Sequence, residues 1–213
     1  MMIGQRLKEI RMELPPEVKL VAVSKFKPVE DILEAYEAGQ RAFAESRPQE
    51  LAAKAAVLPD DIEWHFIGHL QTNKIRLILP YVTLVQSVDS IHLLEELDRQ
   101  ASGFGRTVDC LLEIHISGEE SKQGFAPSEM TQVVEECRRF RNVNIKGVMG
   151  MASLSDDEKL IHSEFKILRQ LADRFWNAGL EIVSMGMSSD YKIAVQEGTN
   201  LVRIGTAIFG NRI

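Results

Sequence analysis

Lys25 follows the apolar run Leu20-Val21-Ala22-Val23 after a single serine, and this placement bears on what its amine can do. An amine leaving an apolar wall is partly desolvated, which disfavours its charged form, and the neutral form can attack an aldehyde or ketone carbon. The same lysine could equally lay its stem along the wall and leave its ammonium in water, so position alone does not decide. Two later segments narrow the choice. Met185-Gly186-Met187-Ser188-Ser189-Asp190 and Arg203-Ile204-Gly205-Thr206 combine glycines, hydroxyls and one arginine. The hydroxyls of Ser188 and Ser189, with the backbone N–H groups of Gly205 and Thr206, can receive phosphate oxygens without help from a lysine. Ser188-Ser189-Asp190 also has the composition of an ordinary helix N-cap, a role compatible with the first.

Such residues act together only if the chain brings them together, and its periodicity says how. The N-terminal stretch up to Glu13 carries Ile3, Leu7 and Ile10 at helical spacing. The run Lys19 to Val23 has strand character, and Val29 to Ala38 has helical periodicity closed by Gly39. The alternation recurs as strand 41–44 with helix 47–56, strand 63–67 with helix 73–79, and strand 83–86 with helix 90–102. It continues as strand 107–114 with helix 127–138, strand 144–148 with helix 156–178, strand 181–184 with helix 190–197, and strand 201–204 with a closing turn at 207–210. Eight strands each followed by a helix predict an α/β fold: a single (β/α)8 TIM barrel with an additional N-terminal helix, one domain over residues 1–213. The stretch from Ile116 to Ala126 is the longest without a clear element.

In such a barrel, chemistry gathers at the C-terminal ends of the strands, and the phosphate site is usually built by the loops after strands seven and eight. Lys25, Ser188, Arg203, Gly205 and Thr206 all fall at these ends. A charged Arg203 in a barrel mouth needs a partner, either a carboxylate or the ring nitrogen of pyridoxal 5'-phosphate (PLP). Strands one and eight are neighbours in a closed barrel, so aldehyde, ring nitrogen and phosphate could be engaged from adjoining strands, which favours PLP over a simple phosphosugar. His65 faces either the interior or the helix layer, because side chains alternate along a strand.

Composition limits the other classes. With 213 residues, 45% hydrophobic, and a formal net charge of −6, the chain has one substantial core and no bias toward nucleic acid or an anionic membrane. Arg138, Arg139 and Arg141 suit a solvated helix end. No apolar run is long enough to cross a bilayer and the N-terminus lacks the apolar centre of a signal peptide, so a cytoplasmic location is expected. Cys110 and Cys137 have no redox or metal spacing, and no His, Cys or carboxylate pair has metal spacing either.

At Val23-Ser24-Lys25, together with Trp64-His65-Phe66-Ile67-Gly68-His69-Leu70-Gln71-Thr72-Asn73-Lys74, the chain resembles the PLP homeostasis family of PROSC or YggS type. Ile116-Ser117-Gly118-Glu119-Glu120-Ser121-Lys122-Gln123-Gly124-Phe125, then Gly147-Val148-Met149-Gly150-Met151, then the segments at Met185 and Val202 to Gly210, fit its pattern in order over nearly the whole chain. The resemblance implies the N-terminal barrel of alanine racemase without its second domain. It implies a Schiff base of PLP on Lys25, phosphate at Ser188, Gly205 and Thr206, Arg203 near the pyridine nitrogen, and a role in PLP homeostasis without an assigned catalytic reaction. The cofactor-binding candidates are accordingly Lys25, Ser46, His65, Met185, Ser188, Arg203, Gly205 and Thr206, with no catalytic residue and no metal ligand. PLP-dependent apoenzymes are candidate recipients of the cofactor, and a monomer is expected because the dimerising domain of racemases is not part of the pattern. Three positions depart from it. In Phe43-Ala44-Glu45-Ser46-Arg47-Pro48-Gln49-Glu50 the family's glycine is Ala44 and its cofactor-side asparagine is Ser46, and the asparagine expected after strand five is His115, a titratable ring near the cofactor face. Two other functions fit the residues: an amino-acid racemase using PLP, and a Schiff-base aldolase that works on a phosphosugar without PLP.

Overall fold

Alternation of side chains along short apolar strands sorts the chain into two cores. The computed structural model describes residues 2–119 and 123–210, so Glu120, Ser121 and Lys122 of the Ile116 to Phe125 segment lie outside the described residues, as do Met1 and the last three positions. The strands are β1 (Lys19–Val23), β2 (Ala42–Glu45), β3 (Glu63–Phe66), β4 (Val82–Val88), β5 (Val108–Ile114), β6 (Val143–Gly150), β7 (Ile182–Ser184) and β8 (Leu201–Ile204). All are parallel and in chain order, and β1 pairs with β2 on one side and β8 on the other, so the barrel closes. Val21, Ala42, Ala44, Leu84, Leu111, Met149 and Leu201 fill its interior. The alternate residues, among them Leu20, Ala22, Phe43, Trp64 and Phe66, face outward into a larger core under the helices.

The helices are α1 (Ile3–Glu13), α2 (Val29–Glu37), α3 (Pro48–Ala55), α4 (Ile75–Ile78), α5 (Ile91–Gly103), α6 (Met130–Cys137), α7 (Glu158–Phe175), α8 (Tyr191–Gln196) and α9 (Thr206–Phe209). The additional helix α1 buries Ile3, Leu7 and Ile10 and packs against α2 and α9. None of the described helices is long and apolar enough to cross a membrane. Cys110 and Cys137 are free thiols, and no group of three metal-ligating side chains occurs among the described residues.

Three helices differ from expectation, and the one expected over 127–138 opens as a 3-10 turn, Pro127–Glu129, before α6. The segment expected to be one helix over 73–79 is a 3-10 turn, Thr72–Lys74, followed by a single α-helical turn. The long helix starts at Glu158 rather than at 156, because the Asp157 carboxylate accepts the N–H groups of Lys159 and Leu160 as its N-cap. The stretch after β5 is not structureless at its end: Phe125 returns beside the strand, its N–H donating to the Glu113 carbonyl at 2.8 Å and its carbonyl accepting from His115 N at 3.0 Å.

Candidate functional site

On β1, Val21 and Val23 point inward, and the period of two carries Lys25 to the mouth of the barrel. There it lines a cavity of about 560 Å³ with Ser188, Ser189, Arg203, Gly205 and Thr206. The rest of the wall is apolar: Val23, Ile67, Met149, Met151 and Met187. A depression of about 520 Å³ at the other end of the barrel, beside Arg138 and Lys146, is nearly as large, so volume alone does not mark the site. The convergence of an amine, hydroxyls and a guanidinium does.

The loop after β7 is shaped by Gly186 and Asp190. Gly186 sits at φ 95°, and a Cβ there would press within 2.6 Å of the Ala194 methyl, so only glycine fits. The Asp190 carboxylate accepts the Met187 N–H at 2.5 Å. The turn presents the Ser188 hydroxyl to the end of β8, where its oxygen accepts from the N–H groups of Gly205 and Ala207, each at 3.3 Å. An anionic oxygen at this corner would meet the same two amides and could accept from the hydroxyl itself.

Arg203 points into the barrel and is 4% exposed. Its guanidinium donates to Ser184 Oγ at 2.5 Å and to the Gly150 carbonyl at 3.1 Å. The Ser184 hydroxyl donates to Gln86 Oε1 at 2.6 Å, which leaves the Gln86 amide nitrogen to donate to His65 Nδ1 at 2.8 Å. The chain of donors assigns the His65 ring proton to Nε2. The ring is neutral in agreement: burial, and then Lys19, pull its pKa down to about 3. Burial also lowers Arg203 to about 10, against the pull of Glu113 and Asp190, and the residue stays a cation at neutral pH. Glu113, on the next inward position of β5 after Leu111, is pushed up to about 7 by burial and by Asp89, with Arg203 and His69 opposing.

The structure thus brings Lys25, Ser188, Arg203, Gly205 and Thr206 to one cavity and leaves three candidates off its wall. His65 is buried beneath it and reaches Arg203 only through Gln86 and Ser184. Met185 is fully buried in the outer core, because Ser184 faces inward and its neighbour must face the helices; Met187 is the methionine that returns to the mouth. Ser46 is partly buried, and its backbone is packed so closely on Gly68 that a Cβ there would overlap the Ser46 carbonyl. His115 is not on the wall either: its Nε2 pairs with the Glu119 carbonyl at 2.9 Å. Sequence reasoning missed Gln86 and Ser184 as partners of Arg203. Their inward parity on β4 and β7 is the only signal they carry.

Comparison with known proteins places this geometry in a family. Residues 2–212 match the N-terminal domain of alanine racemase. A pyridoxal phosphate homeostasis protein of Aquifex aeolicus is 38% identical over 198 residues, covering 91% of this chain and 87% of the relative. One of Vibrio alginolyticus is 42% identical over 206 residues, covering 93% and 88%. Among solved structures, PipY of Synechococcus elongatus without PLP superposes with a TM-score of 0.93 at 39% identity, covering 98% of this chain and 100% of PipY, and PipY with PLP bound superposes at 0.86. The chain belongs to the pyridoxal phosphate homeostasis protein family, on the barrel of the alanine racemase N-terminal domain.

Proposed function

We propose that this protein binds PLP as a Schiff base on Lys25 and serves PLP homeostasis as a carrier or reservoir rather than as an efficient catalyst. One observation carries the proposal: Lys25, the Ser188–Gly205–Ala207 corner and Arg203 open into one cavity whose remaining wall is apolar. When bound, PLP supplies an aldehyde, a dianionic phosphate and an electron-withdrawing ring. The donor set fits each part. The Lys25 amine can attack the aldehyde carbon with loss of water, Ser188 and the two amides can hold the phosphate, and the Arg203 guanidinium can face the ring nitrogen. The cavity volume lies within the roughly 300–1,000 Å³ of small-molecule sites. The relative PipY has a PLP-bound form, which supports PLP as the ligand.

The phosphosugar aldolase fits less well, since a polyol needs hydrogen-bond partners and the wall away from the phosphate corner, Lys25 and Arg203 offers Val23, Ile67 and three methionines. We further propose that the protein acts as a monomer in the cytoplasm and passes PLP to PLP-dependent apoenzymes, with effects on amino-acid and keto-acid balance.

The test is the visible spectrum of the purified protein loaded with PLP, followed by borohydride reduction and peptide mapping. The expected result is a yellow protein whose band is lost on reduction, with a stable pyridoxyl adduct on Lys25. An adduct on Lys27 or Lys122 instead would refute the assignment, and a protein that PLP leaves colourless would favour the aldolase.

A further inference from the structure

Behind Lys25, on the outer side of the barrel, three ionisable side chains meet, Lys54 and Glu45 buried and Glu50 partly so. Lys54 and Glu50 stand four residues apart on α3 and pair at 2.7 Å; Lys54 also meets Glu45 of β2 at 2.8 Å. Lys54 is 7% exposed and Glu45 is fully buried. The Lys54 ammonium has three hydrogens, and it has three acceptors: Glu50 Oε1, Glu45 Oε1 and the Ser24 carbonyl at 2.8 Å. Glu50 Oε1 in turn accepts the Phe26 N–H at 2.7 Å, and the Ser24 hydroxyl donates to Glu45 at 2.6 Å.

The Ser24 carbonyl and the Phe26 N–H belong to the two peptide planes on either side of the Lys25 Cα. One ion pair therefore grips both planes, and with them the backbone torsions that aim the Lys25 side chain. A second observation points the same way. Phe26 has φ 64°, the only positive φ at a non-glycine among the described residues, and a bulky side chain disfavours that conformation. The Arg47 guanidinium lies over its ring, 4.6 Å from the centroid.

Stability alone does not account for the arrangement. Burying the Lys54–Glu45 pair costs more than packing apolar side chains of the same volume: burial pushes the Glu45 carboxyl up to about 7, and its Oε2 is buried without a hydrogen-bond partner. We infer that Lys54 and Glu50 are positioning residues for the cofactor-attaching amine: they hold the strained Ser24-Lys25-Phe26 turn so that Lys25 meets an aldehyde in the mouth. The inference rests on Lys25 being the attachment point.

The experiment follows Schiff-base formation by stopped-flow absorbance after mixing with PLP, beside equilibrium binding of pyridoxine 5'-phosphate, which has the ring and phosphate but no aldehyde. Glu50→Ala should slow Schiff-base formation on the order of tenfold, since the reacting groups lose their alignment, and shift pyridoxine 5'-phosphate affinity by less than about twofold. Adding Phe26→Gly, which relieves the demand for a positive φ, should bring the rate back to within about threefold of the wild type. If the alanine variant does not fold, Glu50→Gln keeps the volume and should slow the reaction by about threefold. A rate unchanged in these variants, or a loss that pyridoxine 5'-phosphate binding matches and Phe26→Gly leaves unrepaired, would overturn the positioning role while leaving the Lys25 assignment standing. A wild-type protein without a reducible adduct on Lys25 would overturn the assignment itself.

Discussion

Ser188 is where the phosphate corner is tested at single-atom resolution. Ser188→Ala should weaken PLP retention by about tenfold, the worth of one hydrogen bond to a charged group, while pyridoxal, which lacks the phosphate, should shift by less than about twofold. Equal losses for both ligands in equilibrium dialysis would remove Ser188 from the phosphate. Glu113 carries the pH argument. Its ordinary value of 4.5 rises to about 7 on burial, so between the two the native state holds more protons than the unfolded chain. The contribution of this group is full below the unfolded value and is lost as pH rises through the folded one. Glu113→Gln cannot ionise, and its stability relative to the wild type should improve by ~2 kcal/mol from about pH 4.5 to about pH 8. Urea unfolding at both ends measures it, and a flat or reversed trend would reject the shift. That Lys25, Ser188, Arg203, Gly205 and Thr206 share one barrel mouth is legible in sequence because residue type and strand-end position coincide. Met185 is not, since one step of parity separates the outer core from the mouth. Nor is the chain from His65 through Gln86 and Ser184 to Arg203, which joins β3, β4, β7 and β8 across the barrel and leaves no local trace.

At the scale of elements, alternation of apolar strands and amphipathic helices was enough to give eight strands in the right order, because each parallel neighbour requires a crossover and the helix supplies it. Ends were harder to read, since capping depends on one side chain: Asp157 rather than Asp156 starts α7. The Lys54 cluster was invisible for a different reason, as a lysine and two glutamates on and near a helix read as a solvated face until β2 is folded beneath them. Gly147 shows what holds neighbouring strands in register. A Cβ at this position on β6 would overlap the carbonyl oxygen of Ile182 and crowd its nitrogen on β7. Gly147→Ala must therefore push two backbones apart, at a cost of about 3 kcal/mol. For a chain of this length that corresponds to a fall in Tm of about 10 °C, measurable by calorimetry. A fall of less than about 2 °C would mean that the β6–β7 contact is slack.

Taken as a whole, the molecule would serve a bound PLP from one side. Racemisation needs an acid or base on each face of the substrate α-carbon, within hydrogen-bond reach of the moving proton. Lys25 can serve one face. The tyrosines, a natural choice for the other, are turned elsewhere: Tyr36 Oη donates to Asp61 at 2.7 Å, Tyr191 Oη to Glu13 at 2.5 Å, and Tyr81 lies just before β4, at the end of the strands away from the mouth. None of the three lines the cavity. Arg203 adds a second obstacle, because a guanidinium that remains protonated near neutrality donates to a ring nitrogen without protonating it and leaves the ring a weak electron sink. His115 is the residue best able to upset this argument, being titratable and close to the mouth, yet its ring is engaged by the Glu119 carbonyl. We therefore expect PLP-loaded protein, incubated with L-alanine and other L-amino acids in deuterated water, to exchange the α-proton and form the D-isomer at well below about 1 per second, the low end of ordinary enzyme turnover. NMR follows the exchange and chiral chromatography the product. Turnover at ordinary rates, abolished by Lys25→Ala and sharply reduced by His115→Asn, would make this protein an enzyme and His115 its second base.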